Sequence, residues 1–481
     1  MKVRGNESLP RGYEVDKLEI TSKKGGKIDV RNLLSQLVIT ESINTPVITG
    51  ALTIFDPFNI INNLPVMEGD KISGTLKTYS KDTYAKQFDS DGQLEFEYEI
   101  FKIGDTIKVK QDITMVALHF CSPLWSDNMK GRVSKGFCQT PYASAVKQIY
   151  DEYLKKGGMQ KNIKTKDIEV EMSDEMFNFI IPNWKPLEAI MWLAQRAWKG
   201  QAACYRFFEN KEKFRFVTLK KLMEEGPKLK YKTHSQNRIL KPQKGDQGDI
   251  DMELLEGRYN YLYDIQIINA QDMNVASSGY MMGRRLITHD IMYKRVKDYY
   301  FTGPEAGNYK LDKPRDYTDD FNDLKPMNGG EALVEESVAK SMGPKEGDEK
   351  LVVFPLHNFE WTGVEDNFKP DRWLRQHKAM SQQLDFYTIE ASCPGNFTMK
   401  AGDVIEVEFT SPEASQVKDG KKEYIVDKRH SGKWLVTYVC RSFGANHDTH
   451  EMRIRIARND RQLQPNPIWE GAQEVSYEKP E

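Results

Sequence analysis

Two stretches share one device more than three hundred residues apart: "LPVMEGDKISGTLKTY" (Leu64–Tyr79) and "NFTMKAGDVIEVEF" (Asn396–Phe409). Each has a methionine, a short gap, a Gly-Asp pair and then alternating residues. Glycine at such a turn permits positive φ, and aspartate bonds its own backbone. The alternation that follows is the period of a half-buried strand. Gly-Asp before a strand is common, so the weight rests on the elements around it. Ahead of the first copy lies a short helix-like link, "FNIINNLP" (Phe58–Pro65), entered through Asp56-Pro57 and ended by Pro65. Ahead of the second, residues 370–384 read as a helix, with Trp373, Leu374, His377, Met380 and Leu384 on one face. The same device in the same setting predicts two similar β-barrels. Duplicated barrels suit a ring-shaped structural protein better than an enzyme.

The rest of the chain divides around those barrels. Residues 1–121 read as the first: long β-branched strands, then a strand, a turn at Gly104-Asp105 and a second long strand. Residues 122–225 switch to helical period and read as an inserted α/β domain. Thr140 is the expected N-cap with Pro141 at the first helical position, Tyr142, Val146, Ile149, Tyr150 and Tyr153 form one face, and Gly157-Gly158 ends the helix. A second helix begins near Pro186, with Leu187, Ile190, Met191, Ala194 and Trp198 as its stripe and Gly200 as its stop. The hairpin "ACYRFFENKEKFRFVTL" turns near Asn210-Lys211. The Trp and Tyr residues here read as helix core. Residues 226–270 and 366–446 read as the second barrel, closed by a hairpin at Ser431-Gly432. Its buried faces are expected to be Ile405, Val407 and Phe409, and Trp434, Val436 and Tyr438. Residues 271–365 and 447–481 read as an insertion lobe with a C-terminal strand and an extended arm. Aromatic residues persist through the lobe, unlike in a disordered linker. The fold class is therefore α+β, mainly β.

Composition narrows the function. The chain has 481 residues, enough for several domains, and 39% are apolar, enough for real cores. Lys plus Arg is 69 and Asp plus Glu is 71, a net charge of -2, which gives no electrostatic case for nucleic acid or an anionic membrane as main partner. The start, "MKVRGNESLPRGYEV", lacks the apolar segment of a secretory signal, and no stretch approaches the ~20 apolar residues of a membrane span. Cys121, Cys138, Cys204, Cys393 and Cys440 are scattered and odd in number, as expected of thiols made in a reducing cytoplasm.

Catalytic patterns are missing. There is no phosphate loop, no H-E-x-x-H and no G-x-S-x-G. His447 and His450 in "HDTH" are spaced for a shared metal on a helix, but the segment reads as a loop and lacks further ligands. His289-Asp290 in "THDI" has no nucleophile in a recognisable setting. Acid pairs for glycoside hydrolysis stay open, since Asp and Glu are everywhere. His377 reads as packed in its helix stripe, and Arg453 and Arg455 as a solvated or interface face. No catalytic, cofactor-binding or metal-ligating residue is assigned.

Several longer stretches carry a resemblance. "IPNWKPLEAIMWLAQRAW" followed by "ACYRFFENKEKFRFVTLKKL" resembles the middle domain of the central baseplate hub proteins of contractile-tailed bacteriophages. So does "LLEGRYNYLYDIQIINA" running on to "GYMMGRRLITHDIMYKRV". "FTMKAGDVIEVEF" with "KEYIVDKRHSGKWLVTYVCRSF" is similar to that family's second barrel. Together these sample most of Leu18–Asn459; the tail after Asp460 and residues 300–350 are not covered. The resemblance implies a virion protein of the tail baseplate, made in the host bacterial cytoplasm. It implies two barrels like the tail-tube subunit, and a homotrimer whose two barrels per copy give six barrel positions. Such a ring would meet the tail tube protein or tube initiator above, a spike or tail lysozyme below, and wedge proteins around it. DNA would pass through its bore without specific binding, and nothing inserts in a membrane. Two alternatives remain: a spike-base protein of a bacterial contractile secretion system, which would normally run on into a β-helix, and a tail-associated peptidoglycan hydrolase, which would need an α-rich lobe with a cleft glutamate.

Overall fold

The Gly-Asp turns organise two barrels in one continuous sheet. The computed structural model describes residues 12–57, 63, 66–78, 91–110, 113–155, 166–200, 202–233, 259–270, 284–290, 294–305, 308–311, 327, 331–332, 350–356, 369–410, 416–418, 421–423, 426–427, 429–445 and 449–461. The link expected at Phe58–Pro65, apart from Asn63, the helix stop at Gly157-Gly158 and the arm after residue 461 lie outside the described residues.

The first barrel is built from β1 (Tyr13–Ser22), β2 (Gly26–Asp29), β3 (Leu34–Ser42), β4 (Thr49–Asp56), β5 (Lys71–Thr78), β6 (Gln93–Lys110) and β7 (Ile113–Cys121). Its core includes Leu18, Ile20, Leu37, Ile39, Leu52, Ile72, Leu118 and Phe120. The expected turn at Gly104-Asp105 does not form. β6 runs straight through it, and the ladder to β7 takes up the slack as a register shift between Ile103 and Thr106. Gly104 is there for space: a Cβ would sit 2.8 Å from His119 Nε2.

The insert holds α1 (Pro123–Lys130), β8 (Val133–Thr140), α2 (Tyr142–Ile149), β9 (Ile168–Val170), β10 (Phe177–Trp184), α3 (Pro186–Arg196), β11 (Tyr205–Glu209), β12 (Phe214–Thr218) and α4 (Leu219–Glu224). The expected cap at Thr140 is replaced. Pro141 is the N-cap, the Thr140 hydroxyl donates to Cys138 O, and Ser173 Oγ accepts from Ala143 N at 3.0 Å instead. The expected stripe residues are buried, with Tyr153 and Met191 half-buried; Tyr150 and Tyr153 lie in a π-helical continuation of α2, Tyr150–Lys155, and Trp198 lies just after α3.

β13 (Leu229–Thr233) and β14 (Tyr261–Ala270) return to the large sheet. The lobe is a four-stranded sheet of β15 (Arg284–Asp290), β16 (Arg295–Glu305), β17 (Asn308–Leu311) and β19 (Lys350–Leu356), with β18 (Glu331–Ala332) apart. Then come α5 (Pro370–Phe386), β20 (Tyr387–Pro394), β21 (Val404–Glu408), the short pair β22 (Gln416–Lys418) and β23 (Lys421–Glu423), β24 (Gly432–Gly444), β25 (His450–Ala457) and β26 (Asp460–Arg461).

Two expectations change here. The sequence groups β25 with the lobe, yet it pairs with both β20 and β24 and so belongs to the second barrel; β26 reaches the lobe through β18, and Asn459 through Met327 N. Its alternation of Met452, Ile454 and Ile456 with Arg453 and Arg455 makes one barrel-facing side, which explains the placement. In addition, the described residues of β24 after Ser431-Gly432 pair with β21, Ile405 opposite Trp434, while Val426 ahead of the turn bridges to Thr410.

The second barrel closes. Its ring runs β13-β21-β24-β25-β20-β14, and a parallel β13–β14 pairing joins the ends. The first barrel has the matching order β1-β5-β6-β7-β4-β3, whose free end β3 pairs with β24 instead. The match is not complete, because β1 is antiparallel to β5 whereas β13 is parallel to β21.

Candidate functional site

Both Gly-Asp turns make the same hydrogen bonds. In the first, Asp70 Oδ2 accepts from Met67 N at 2.8 Å, Asp70 N donates to Met67 O, and Gly69 has φ +84. In the second, Asp403 Oδ2 accepts from Lys400 N at 3.0 Å, Asp403 N donates to Lys400 O, and Gly402 has φ +89. Each turn then grips the neighbouring strand in the same way. Gly69 N donates to Ile100 O and Ile100 N to Asp70 O; Gly402 N donates to Val436 O and Val436 N to Asp403 O. Ile100 and Val436 are therefore equivalent positions. Directly after each, the ladder slips by one residue, between Ile100 and Lys102 and between Val436 and Tyr438. The methionines are not equivalent: Met67 is the first residue of its turn and exposed, whereas Met399 precedes its turn and is buried.

That slip corrects one predicted face. Ile405, Val407, Phe409, Trp434 and Val436 are buried, but Tyr438 is half-exposed and Val439 takes the inward position. A β-bulge shifts the side-chain phase by one residue, and no simple alternation in the sequence shows it.

The joint between the barrels holds a fully buried ion pair. Residues Tyr438–Gly444 of β24 pair with Gln36–Ser42 of β3. Inside that seam Arg441 Nη1 lies 2.7 Å from Glu41 Oε1, both essentially without solvent exposure. Arg441 also donates to Met399 O, and Glu41 Oε2 accepts from Ala401 N, so the pair holds the backbone that enters the second Gly-Asp turn. Phe397, Phe443 and His450 stack beside it, His450 4.3 Å from Phe443 between ring centres, and Tyr13 meets Phe443 edge-on. Burial, then the Arg441 charge, keeps His450 neutral far below the usual histidine range.

The tip of the insert hairpin seats in the same place. Asn210 Oδ1 accepts from Glu212 N and Lys213 N and shapes the turn. Glu209, buried, accepts from Ile48 N at 3.0 Å and from Lys166 Nζ at 2.7 Å. Lys211 bonds Asp91 of the first barrel and the Phe397 carbonyl of the second, and Lys400 bonds Glu212. Burial pulls the Lys211 ammonium down, partly opposed by Asp91. Three units thus meet at one hairpin. Sequence reasoning placed the Asn210-Lys211 turn but assigned nothing to Glu41, Glu209, Lys211 or Arg441. Their only signal was a charge inside an otherwise apolar strand, as at Arg441 in "TYVCRSF".

The singled-out residues scatter. His450 is not a loop histidine but buried in the joint, and His447 lies outside the described residues. His289 is exposed on β15, opposite Val296. His377 packs on α5 with Nδ1 3.1 Å from Ala203 O, and burial lowers its pKa to about 4. Arg453 and Arg455 are exposed, Arg453 Nε 2.9 Å from Glu390. A further pair, His430 Nδ1 and Asp427 Oδ2 at 2.6 Å, sits beside Ser431, but that hydroxyl is committed to Phe409, accepting from its N and donating to its O. Among the described residues no three His, Cys, Asp or Glu side chains gather as a metal site, and no helix is long and apolar enough to cross a membrane. All five cysteines are free. The site's chemistry is to fix three bodies in one orientation.

The architecture is that of a mainly β, double-barrel protein with an α/β insert. No protein-family model matches the chain, and no curated protein matches it in sequence. Solved structures do resemble it. The tail protein from Neisseria meningitidis MC58 aligns over 93% of this chain and 96% of its own, at 10% identity and TM-score 0.47. The 43 kDa tail protein of prophage MuSo2 from Shewanella oneidensis aligns over 92% and 98%, at 8% identity and TM-score 0.48. An E. coli component of the type VI secretion system, described as structurally similar to T4 bacteriophage tail proteins, aligns over 95% and 79%, at 8% identity and TM-score 0.39.

Proposed function

We propose that this chain is the central hub of a phage baseplate, a structural virion protein that works as a homotrimeric ring. One observation carries the reading. The two barrels share strand order, turn, turn-to-strand hydrogen bonds and bulge, so one chain offers two near-equivalent surfaces. Three copies then present six similar positions to a six-fold tube and three dissimilar ones to a three-fold spike. The units are 1–121, 122–225, 226–270 with 366–446 and the β25 strand, and the lobe over 271–365. A tail tube protein or tube initiator sits above, a spike or tail lysozyme below, and wedge proteins around. The near-zero net charge suits a bore that passes DNA without holding it.

The hub itself performs no catalysis, and activity beside it belongs to its partners. A reconstruction of the assembled tail tests the proposal: three copies with six barrels in the ring are expected, and six copies of this chain would overturn it. Purified chain should leave labelled peptidoglycan intact. Clearing that one Glu or Asp substitution abolishes, while a conservative core change spares it, would make the chain a hydrolase instead.

A further inference from the structure

The β3–β24 joint has no second counterpart among the described residues of the chain. β24 uses its two halves differently along one edge: Val404–Val407 of β21 cover Gly432–Leu435, and β3 covers Tyr438–Gly444. Its counterpart β6 is covered by β5 only from Gln93 to Glu99. From Lys102 onward that edge of β6 has no strand partner among the described residues, and Phe101 and Ile107 are exposed there. The counterpart of β3 is β14, and it is the other half of the missing joint. Among the described residues β13 covers it at Tyr261 and Leu262 alone. Beyond that β14 passes through a bulge at Asp264, with φ +48, and stays paired with β20 on its other edge as far as Ala270. Ile265, Gln266, Ile267 and Ile268 follow, all exposed, so neither face of the strand is covered. An edge with three exposed isoleucines and no strand partner among the described residues is a pairing and aggregation hazard unless something covers it.

We infer that β14 of one copy pairs antiparallel with the Lys102–Lys108 half of β6 in the next copy, repeating between chains the β3–β24 joint seen within one. The inference rests on the ring reading above and supplies its interface. The ladders give the register. Arg441 pairs with Met452, and Thr106 pairs with Val116 at the corresponding place in the first barrel, so Thr106 stands where Arg441 does. Ile39 reaches Phe120 through Gly50, and Ile267 reaches Ile456 through Ile389, so Ile267 stands where Ile39 does. Arg441 faces Ile39 in the internal joint. Ile267 therefore faces Thr106 of the neighbour, and Ile265 faces Lys108. The partner is a second copy of this chain, because its own fold already uses the same edge geometry once.

The test is a full-length chain with Thr106→Cys and Ile267→Cys, on a Cys138→Ser background that removes the exposed native thiol. Oxidation at high protein concentration should give crosslinked dimers and trimers with no larger species, and each single-cysteine chain should give no trimer. Ile267→Asp should weaken self-association at least tenfold without moving the melting temperature of the dilute, dissociated chain, since the side chain is exposed there. Trimers by native mass spectrometry that neither crosslink nor respond to Ile267→Asp would overturn the strand pairing and leave the ring standing. A crosslinked ladder running past three would keep the pairing and overturn the three-copy ring. A chain that forms no crosslinked species would overturn the inference.

Discussion

At the scale of residues, the Glu41–Arg441 pair decides how firmly the two barrels hold one another. Both charges are out of water, so their attraction mainly offsets desolvation, and losing one partner strands the other. Arg441→Met or Glu41→Leu alone should cost about 3–5 kcal/mol in urea unfolding. The double variant should recover most of that loss, because an apolar pair of similar volume is tolerated there. A double variant as unstable as the singles added together would mean the pair does not interact. The buried histidines give a pH test. The folded chain holds His450 far below the ordinary value and His377 at about 4, while unfolded histidine titrates near ~6.5. As pH falls below ~6.5 the unfolded chain takes protons that the folded chain refuses, so stability falls; above about pH 7 the two histidines contribute no slope. His450→Phe and His377→Asn should flatten the stability curve between pH 6.5 and 4 relative to the parent chain.

At the scale of elements, the turn and the bulge are the units that repeat. Gly402→Ala forces a side chain into positive φ and brings a Cβ within 2.9 Å of the Phe208 ring. It should cost at least about 1–2 kcal/mol, and more than Gly69→Ala, where the obstacle is the movable end of Lys23. Equal melting temperatures for the two would contradict this. On β24, Trp434→Ala should cost about 3–5 kcal/mol, and Tyr438→Ala clearly less, since the bulge leaves Tyr438 half-exposed. These same elements show what the sequence made legible. The Gly-Asp turns, the Pro186 helix, the α5 stripe and the Asn210 turn were readable because each is written in adjacent residues. The bulge after Val436, the run of β6 through Gly104 and the cap from Ser173 were not, because each is chosen by a partner far along the chain. The joint was hidden for the same reason: Glu41 and Arg441 are 400 residues apart, and nothing local marks them as a pair.

At the scale of the whole molecule, one sheet crosses from barrel to barrel, and a shared apolar cluster of Ile43, Phe208, Leu222, Met380 and Leu435 ties both to the insert. The barrels should therefore unfold together. Calorimetry should give one main transition, and two well-separated ones would show that the seam is weaker than its burial implies. The sharing of β24 also has a consequence for synthesis. β3 leaves the ribosome early, but its partner strand is made about 400 residues later. At roughly 5–20 residues per second the nascent first barrel waits on the order of 20–80 s with that edge unsatisfied. Until Arg441 arrives, Glu41 can face water and the seam cannot dry. Completion of the first barrel therefore reports that translation has passed β24 of the second. A prematurely terminated chain keeps a sticky strand in place of a finished ring surface, which marks it for chaperones or proteases before it can spoil an assembly.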